Sequence, residues 1–349
     1  MLPFNEKMFT AFQKSYDETN VASSKYWQSY VDIIVGEIKE DGLDGFGTSY
    51  NLTKGFGDAM SFPRRPKIRR LLIFPFLYIP VEKYLAQRNQ NRISMSVFAN
   101  VKDFFSQGEF IDRVTRELSP VTKELGINRY NNVNGSNIPW RYMQAIGYIE
   151  LLSSRLGWGD EAPTIEQLFD GNTMDIGGGY GPFVDALSMF KTTSNVGCKS
   201  TNYLLDQFPV SFIANQYLTY RYGSDVLPPV LNVDDLKRTD TGKDGQSFRV
   251  IQNTSAKDIK GLDIKFFFNS ASFQEMDVQQ VKEYVHFIKN NCNELSYLAC
   301  FYYPSGKDSN SLAPSLEIFN KEFKALGQKS FDLKGFVKGT MYLFRIVDM

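Results

Sequence analysis

Residues 174–181 spell Met-Asp-Ile-Gly-Gly-Gly-Tyr-Gly, a short apolar segment that runs into a cluster of glycines. Beyond the glycines, Phe183, Leu187 and Phe190 recur at the spacing of one helical face. This order predicts a buried strand, a glycine turn and a helix. Such a turn suits a ligand, because glycines let a ligand lie against the backbone and the start of the helix offers unpaired N–H groups.

The spacing of the glycines distinguishes two nucleoside cofactors. A dinucleotide fingerprint, Gly-x-Gly-x-x-Gly, needs its third glycine for close packing of the helix. Counted from Gly177, that position is Pro182, which fits the first turn of a helix but is not a glycine. Asp175 at the strand end, followed by Gly-Gly-Gly-Tyr-Gly, instead resembles the motif of class I S-adenosylmethionine-dependent methyltransferases. An ordinary glycine-rich turn is the structural alternative.

The composition predicts a globular chain with no dominant charge. Its 349 residues are enough for two lobes or one large decorated domain, and 42% of them are hydrophobic. The 39 basic and 39 acidic side chains cancel, which argues against binding to nucleic acid or to an anionic membrane. We therefore expect no nucleic-acid partner.

Three features bear on the cellular location. The first residues lack the basic and then apolar pattern of a secretory signal. The most apolar run, residues 71–81, has 11 residues with two prolines and is too short to cross a bilayer. We expect it to be a buried element, with contact to a membrane surface as the alternative. Cys198, Cys292 and Cys300 have no metal-ligand spacing and are interpreted as free thiols in a reducing, cytoplasmic compartment.

Residues 1–160 are predicted to form a mostly helical N-terminal cap that binds the acceptor substrate. Apolar spacing predicts helices over residues 6–16, 24–39, 97–105, 110–125 and 140–156. The glycine-rich passage at 42–57 is expected to be a loop, either mobile or close to a ligand.

A cationic run at residues 63–70 lies in the same half. Its cations are Arg64, Arg65, Lys67, Arg69 and Arg70. A solvated surface run is the default interpretation. The functional hypothesis is that the four arginines bind a phosphate or carboxylate of the acceptor, since guanidinium presents a planar fork that suits both groups. An activated or lipid-linked sugar would supply phosphate, and an acidic sugar would supply a carboxylate.

Residues 161–349 alternate strand and helix, as a mainly parallel sheet requires. Strands are predicted at residues 173–176, 202–205, 248–252, 263–269 and 295–302. Helices are predicted to begin near Pro182, Pro209, Ala256 and Val278, with another over 315–325. A terminal hairpin is predicted from residues 330–333 and 340–347. The predicted fold class is α/β, a Rossmann-like class I methyltransferase sheet with an antiparallel last strand, and residues 161–349 are its cofactor-binding domain.

In such a sheet the ligand binds outside the carboxyl ends of the strands, so the residues there are the candidate cofactor ligands. In chain order they are Asp175, Gly177, Gly178, Gly179, Tyr180, Asp206, Gln207, Gln252, Asn253, Asn269 and Ser270. The carboxylate of Asp206 can accept two hydrogen bonds from ribose hydroxyls. Gln252 and Asn253 offer amides that suit an adenine edge.

Three segments together resemble one family more closely. Gly-Gly-Gly-Tyr-Gly at 177–181, Leu-Leu-Asp at 204–206 and Phe-Phe-Asn-Ser-Ala-Ser-Phe-Gln-Glu-Met at 267–276 are similar to the sugar O-methyltransferase family, over about residues 140–305. The resemblance implies S-adenosylmethionine as cofactor. It also implies methyl transfer to a sugar, nucleotide-sugar or glycan hydroxyl, in surface-polysaccharide or glycoconjugate assembly. A methyltransferase for another small molecule and a non-catalytic glycan-binding module are the alternatives.

A sugar hydroxyl is weakly acidic, so a general base would help the transfer. The only histidine is His286, on a predicted helix whose apolar face runs through Val278, Val281, Val285 and Ile288. His286 lies on the opposite face and is expected at the surface. No spacing of histidines or cysteines indicates a metal site, so no metal is expected.

Glu275 is the candidate catalytic base, because it follows the fourth strand, beside the expected position of the methyl group. Capping of the next helix, or pairing with a cation, is the alternative. Arg141 and Tyr142 are candidates for binding the acceptor, through an acidic group and through stacking on a sugar ring. Packing is the alternative for the aromatic residues here, which include Trp140 and Tyr148.

Overall fold

The computed structural model describes residues 2–19, 25–44, 46–47, 109–127, 130–133, 135–153, 158–197, 199–237, 246–303, 314–332 and 338–346. Several predictions lie outside these residues. They are the cationic run at 63–70 with Arg64, Arg65, Arg69 and Arg70, the apolar run at 71–81, the helix at 97–105, Cys198 and most of the passage at 42–57.

Helices occupy most of the described part of the N-terminal half, close to the predicted bounds. They are α1 (Glu6–Thr19), α2 (Lys25–Asp41), α3 (Glu109–Glu124) and α4 (Trp140–Ser153). In α3, Phe110, Val114, Leu118 and Val121 recur on one face and are all buried. A short antiparallel hairpin was missed, because its strands, β1 (Tyr130–Val133) and β2 (Ser136–Pro139), have only four residues each and show little alternation.

A seven-stranded sheet lies at the centre of the described residues. Its strands are β3 (Asn172–Ile176), β4 (Thr201–Asp206), β5 (Ser247–Gln252), β6 (Ile264–Ser270), β7 (Cys292–Tyr302), β8 (Lys324–Asp332) and β9 (Lys338–Ile346). Their spatial order is β5-β4-β3-β6-β7-β9-β8. Strands β3 to β7 pair in parallel, and β9 runs antiparallel to both β7 and β8.

This strand order confirms the predicted fold class, the Rossmann-like class I methyltransferase fold. From β3 the chain moves outward to β4 and β5, and it then returns to the other side of β3 with β6. The direction of winding therefore reverses beside β3, which is where an open α/β sheet forms its ligand crevice. The crevice lies at the carboxyl ends of β3, β4 and β6.

Helices cover both faces of the sheet. They are α5 (Ile165–Phe169), α6 (Pro182–Ser194), α7 (Val210–Tyr222), α8 (Val278–Asn291) and α9 (Pro314–Glu322). The helix predicted near Ala256 was wrong. Only a 3-10 segment, Asn253–Asp258, forms there, because its polar sequence has no apolar face to pack. Val278 was wrongly placed on the buried face of α8; it is 45% exposed as the first residue of that helix.

Strand β6 shows how the two faces of the sheet are filled. Phe266 and Phe268 belong to one apolar cluster and Phe267 to the other, because successive side chains of a strand point to opposite faces. The first cluster also contains Phe12 of α1 and Leu118 of α3, so the N-terminal helices share a core with the sheet. Among the described residues, no helix has the length and apolar character needed to span a membrane.

Candidate active site

The glycine turn connects β3 to α6 at the crevice, as predicted. Gly177, Gly179 and Gly181 have φ angles of 69°, 61° and 101°, in the left-handed region that favours glycine. A Cβ atom at Gly178 would come within 2.5 Å of Asp175 Oδ2, and one at Gly177 within 2.3 Å of Ser272 Oγ. The turn therefore needs glycines both for its backbone conformation and for close approach to neighbouring side chains.

Asp206 ends β4 and faces the same turn. Its Oδ2 accepts a hydrogen bond from Gly179 N at 2.9 Å, and its Oδ1 accepts one from Gln207 N at 2.7 Å. Burial raises the pKa of Asp206 to about 7, and Glu275 adds to the rise, although the two backbone hydrogen bonds lower it. Near neutral pH, a bound ligand that donates hydrogen bonds to Asp206 can therefore shift this group to its ionised form.

Asp175 lies one residue before the end of β3 and lines a cleft beside the glycine turn, which Asp206 does not line. Its side chain is 2% exposed, and its Oδ1 has no hydrogen-bond partner among the described residues. Burial and the nearby Asp206 raise the pKa of Asp175 well above its usual range. A buried polar atom without a partner is costly, so Asp175 indicates that a ligand supplies a donor or a positive charge here.

The end of β5 carries two further buried oxygen atoms. Gln252 Nε2 donates to Thr254 Oγ1 at 3.2 Å. Gln252 Oε1 and Asn253 Oδ1 have no partner within the part of the chain that the structure describes. Neither residue lines the cleft beside the glycine turn, and Gln207, which is 9% exposed, does not line it either.

Asn269 and Ser270, at the end of β6, have different surroundings. Asn269 Nδ2 donates to Ile176 O at 2.7 Å and to Ser272 Oγ, and its Oδ1 accepts from Phe273 N at 3.3 Å. All its polar atoms are thus used to hold the loop after β6 against β3. Ser270 lines the cleft, and its Oγ donates to the Tyr148 hydroxyl at 3.1 Å.

A cleft opens beside the glycine turn. Residues of α4, the start of α6 and the loops after β6 and β7 form its walls. They include Arg141, Gln144, Tyr148, Phe183, Glu275 and Tyr303. The cleft thus unites candidates from both halves of the sequence. Gln144 and Tyr303 were missed, although Tyr303 follows the end of a parallel strand and could have been found by the same rule as Asp206.

Tyr142, a candidate for the acceptor site, does not line the cleft. One face of α4 lines the cleft through Arg141 and through Gln144, Ala145 and Tyr148, which follow Arg141 by three, four and seven residues. Tyr142 is turned away from that face. Its buried hydroxyl contacts the Asp185 carboxylate and the Tyr217 hydroxyl instead.

Asp185 is the centre of a buried polar network behind the cleft. Its carboxylate accepts from Arg221 Nε at 3.0 Å and Nη2 at 3.2 Å, and from the hydroxyls of Tyr142 and Tyr222. Arg221 Nη2 also reaches Glu117 Oε2 at 3.3 Å. The network joins α3, α4, α6 and α7, so it fixes α4, which lines the cleft, relative to the glycine turn before α6.

Glu275 lines the cleft, and its side chain is exposed. Its proximity to Asp206 contributes to the raised pKa of that group. The helix-capping alternative is wrong, because Asp277 caps α8. Asp277 Oδ1 accepts from Gln280 N at 2.8 Å, and the Gln280 side chain accepts from Asp277 N at 3.2 Å. The Glu275 carboxylate is therefore not used to start the helix.

His286 lies on the exposed side of α8, as predicted. Arg141 Nη1 donates to Gln144 Oε1 at 2.8 Å, which orients the guanidinium along the cleft wall. Across the described ranges, no group of three histidine, cysteine, aspartate or glutamate side chains is placed to hold a metal ion.

No protein-family model matches the chain. No curated protein matches it. Solved structures with a similar fold include a SAM-dependent methyltransferase from Aquifex aeolicus, with 16% identity over 57% of this chain and 97% of that chain and a TM-score of 0.33. The N-methyltransferase NodS from Bradyrhizobium japonicum has 12% identity over 60% and 95%, with a TM-score of 0.34.

Magnesium protoporphyrin IX methyltransferase from Synechocystis, solved with bound SAM, has 13% identity over 71% of this chain and 96% of that chain, with a TM-score of 0.34. The fold itself is identified by the strand order of the central sheet, with β9 inserted antiparallel between β7 and β8.

Proposed function

We propose that this protein is a methyltransferase that takes its methyl group from S-adenosylmethionine and transfers it to a sugar hydroxyl. The observation that carries the proposal is the convergence of two carboxyl groups, the buried Asp175 and the half-buried Asp206, on the glycine turn of a class I methyltransferase sheet. Both groups are suited to a ligand that brings hydrogen-bond donors and positive charge.

The residues present fit this cofactor. Asp206 would accept from the ribose hydroxyls with the lone pairs that its two backbone bonds leave over. Asp175 Oδ1, which lacks a partner in the described chain, would accept from the ammonium of the methionine part. Gln252 Oε1 and Asn253 Oδ1 would accept from an adenine amino group. When bound, the cofactor supplies an electrophilic methyl group on a positively charged sulfur.

Glu275 is the general base of the proposed reaction. The Glu275 carboxylate would take the proton of the acceptor hydroxyl as that oxygen receives the methyl group that the bound cofactor supplies. Its position is suitable, because Glu275 and the glycine turn line one cleft. The remaining task of the protein is to hold the hydroxyl in line with the methyl group, and such alignment accounts for much of the rate in displacement reactions.

The cleft walls suit a sugar. Phe183, Phe268 and Tyr148 pack together where they line the cleft, with ring centroids 3.7 Å apart for Phe183 and Phe268 and 5.4 Å apart for Tyr148 and Phe268, so this wall is largely apolar. Arg141 and Gln144 offer donors for hydroxyl or acidic groups. The resemblance of residues 140–305 to sugar O-methyltransferases supports the same substrate class and a role in surface-polysaccharide or glycoconjugate assembly in the cytoplasm.

Two measurements test the proposal. Calorimetry with S-adenosylhomocysteine, the demethylated cofactor, should give a micromolar dissociation constant. Transfer of labelled methyl groups to a panel of nucleotide sugars and glycans should then reveal the acceptor. Cofactor binding with transfer only to other small molecules would reject the sugar assignment, and glycan binding without cofactor binding would indicate a non-catalytic module.

A further inference from the structure

Tyr303 follows β7 and is fixed to the loop that carries Glu275. Tyr303 N donates to Gln274 Oε1 at 2.7 Å, and Gln274 Nε2 donates to Tyr303 O at 3.0 Å. The amide of one side chain thus bonds both backbone groups of Tyr303, in the manner of a paired strand. Because Gln274 is the neighbour of Glu275, this pair of bonds sets the position of Tyr303 relative to the proposed base.

Tyr303 lines the cleft together with Gln144 and Tyr148. It packs edge-on against Phe301, with centroids 5.3 Å apart and an interplanar angle of 87°. Its hydroxyl accepts from Gln144 Nε2 at 3.5 Å. Tyr148 lies on the same helix as Gln144. Tyr303 is nevertheless 36% exposed, so a ligand can reach it.

The direction of these hydrogen bonds determines what Tyr303 offers to a ligand. Ser270 Oγ donates to the Tyr148 oxygen at 3.1 Å. Burial, followed by Tyr303, raises the pKa of Tyr148, so that phenol keeps its proton. The Tyr303 oxygen accepts from Gln144, so this bond does not use the hydroxyl's own proton. Because Tyr303 lines the cleft, that proton can be donated to a ligand there.

We propose that Tyr303 is a specificity-determining residue, whose hydroxyl donates to an oxygen of the acceptor next to the hydroxyl that is methylated, and that Gln274 positions it relative to Glu275. The inference rests on the proposed function and narrows its substrate to compounds with two neighbouring oxygens. A sugar ring has this arrangement, whereas a simple alcohol does not. The Tyr303 hydroxyl transfers no proton in the reaction; it holds the acceptor at the distance that Glu275 needs.

Tyr303→Phe tests the proposal, since it removes the hydroxyl and keeps the ring packed on Phe301. The probes are the methyl hexopyranosides of glucose, galactose and mannose with their single-deoxy forms, and labelled S-adenosylmethionine. In the wild type, one deoxy form should have a kcat/KM about three- to tenfold below its parent, the effect of one neutral hydrogen bond. Tyr303→Phe should lower kcat/KM for the parent sugar by the same factor. The variant should no longer distinguish the parent from that one deoxy form, and the ratios for the other deoxy forms should not change.

Tyr342→Phe is the matched control, because Tyr342 lies on β9 outside the cleft and should leave all kinetics unchanged. Gln274→Ala removes the two hydrogen bonds that hold Tyr303 to the loop containing Glu275. It should therefore lower kcat and also reduce the difference in kcat/KM between the parent sugar and the deoxy form. Unchanged discrimination in Tyr303→Phe, or an equal loss with every deoxy form, would overturn the inference. So would an absence of transfer to any hexopyranoside while S-adenosylhomocysteine still binds. Failure to bind S-adenosylhomocysteine would instead be a failure of the proposed function.

Discussion

Oδ2 of Asp206 accepts a hydrogen bond from the backbone N–H of Gly179 at 2.9 Å, which ties the end of β4 to the turn after β3. Asp206 and Asp175 interact electrostatically at this turn, because Asp206 also raises the pKa of the buried Asp175. Two carboxyl groups so close cannot both ionise cheaply without a counter-charge. A ligand with a cationic sulfur and an ammonium group would supply that charge.

The first prediction concerns the affinity for the cofactor. Asp206→Ala should weaken the binding of S-adenosylhomocysteine about tenfold or more, because a hydrogen bond to a charged group contributes about 1.5–3 kcal/mol. Calorimetry measures this directly, and Glu294→Ala, an exposed carboxylate on β7, is the control. An unchanged dissociation constant would remove Asp206 from the site. Tighter binding of a nicotinamide cofactor would overturn the cofactor class.

The second prediction is a pH dependence of the same binding. The pKa of Asp206 is about 7 in the unliganded protein, raised chiefly by burial, and two ribose donors require the ionised form. Affinity for S-adenosylhomocysteine should therefore rise about tenfold from about pH 6 to about pH 8. Asp206→Asn should abolish the dependence. An affinity that stays constant in the wild type would contradict the assignment.

Asp206 has the opposite effect on the stability of the unliganded protein. A carboxyl group whose pKa is raised on folding contributes stability that is present below its unfolded pKa of about 4 and is lost as pH rises through about 7. Relative to the wild type, Asp206→Asn should thus be more stable at about pH 8 than at about pH 5. Urea denaturation at the two pH values, without cofactor, measures this difference.

The third prediction separates Tyr142 from the acceptor site. Tyr142→Phe removes a hydroxyl from the buried Asp185 carboxylate, which should lower the free energy of unfolding by about 1–3 kcal/mol. The KM for the acceptor should not change, since Tyr142 does not line the cleft. Denaturation and steady-state kinetics on one preparation check both parts. A large rise in the acceptor KM with an unchanged free energy of unfolding would indicate that Tyr142 does bind the acceptor.

The sequence predicts the central sheet well because its strands carry strong local signals. β3, β4 and β6 are largely apolar segments; Gly177 follows β3, and β4 and β6 end at Asp206 and Ser270. Their order limits the topology to few choices. The crevice then follows from the winding of the chain. Local patterns fail where packing decides, as at Ala256, where a polar segment forms only a 3-10 turn.

The part of the cleft that α4 lines was harder to predict than the part formed at the strand ends. The cofactor candidates come from strand ends, whose position is fixed by topology, whereas α4 contributes through one face of a helix. Placing Arg141 in the cleft and Tyr142 outside it requires the rotation of α4 about its axis. That rotation depends on contacts far away in the sequence, such as Tyr142 with Asp185 and Tyr217.

The fourth prediction concerns the cationic run, which lies outside the described residues. Replacement of Arg64 and Arg65, or of Arg69 and Arg70, by alanine should raise the acceptor KM and leave cofactor affinity unchanged, if the arginines bind a phosphate or carboxylate of the acceptor. The effect should shrink with added salt, because exposed charges are screened. Kinetics equal to those of the wild type would indicate a solvated surface run.

The last prediction is that Glu275 accepts the proton of the acceptor hydroxyl. Glu275→Gln keeps the size of the side chain and removes the proton acceptor, so kcat should fall by about 10²–10⁴ while cofactor affinity stays nearly the same. The wild-type kcat should rise with pH as one group ionises, and this rise should be absent in Glu275→Gln. Glu283→Gln, an exposed glutamate on α8, is the control. A near-normal kcat in Glu275→Gln would leave catalysis to alignment of the hydroxyl, with an ordered water as the proton acceptor.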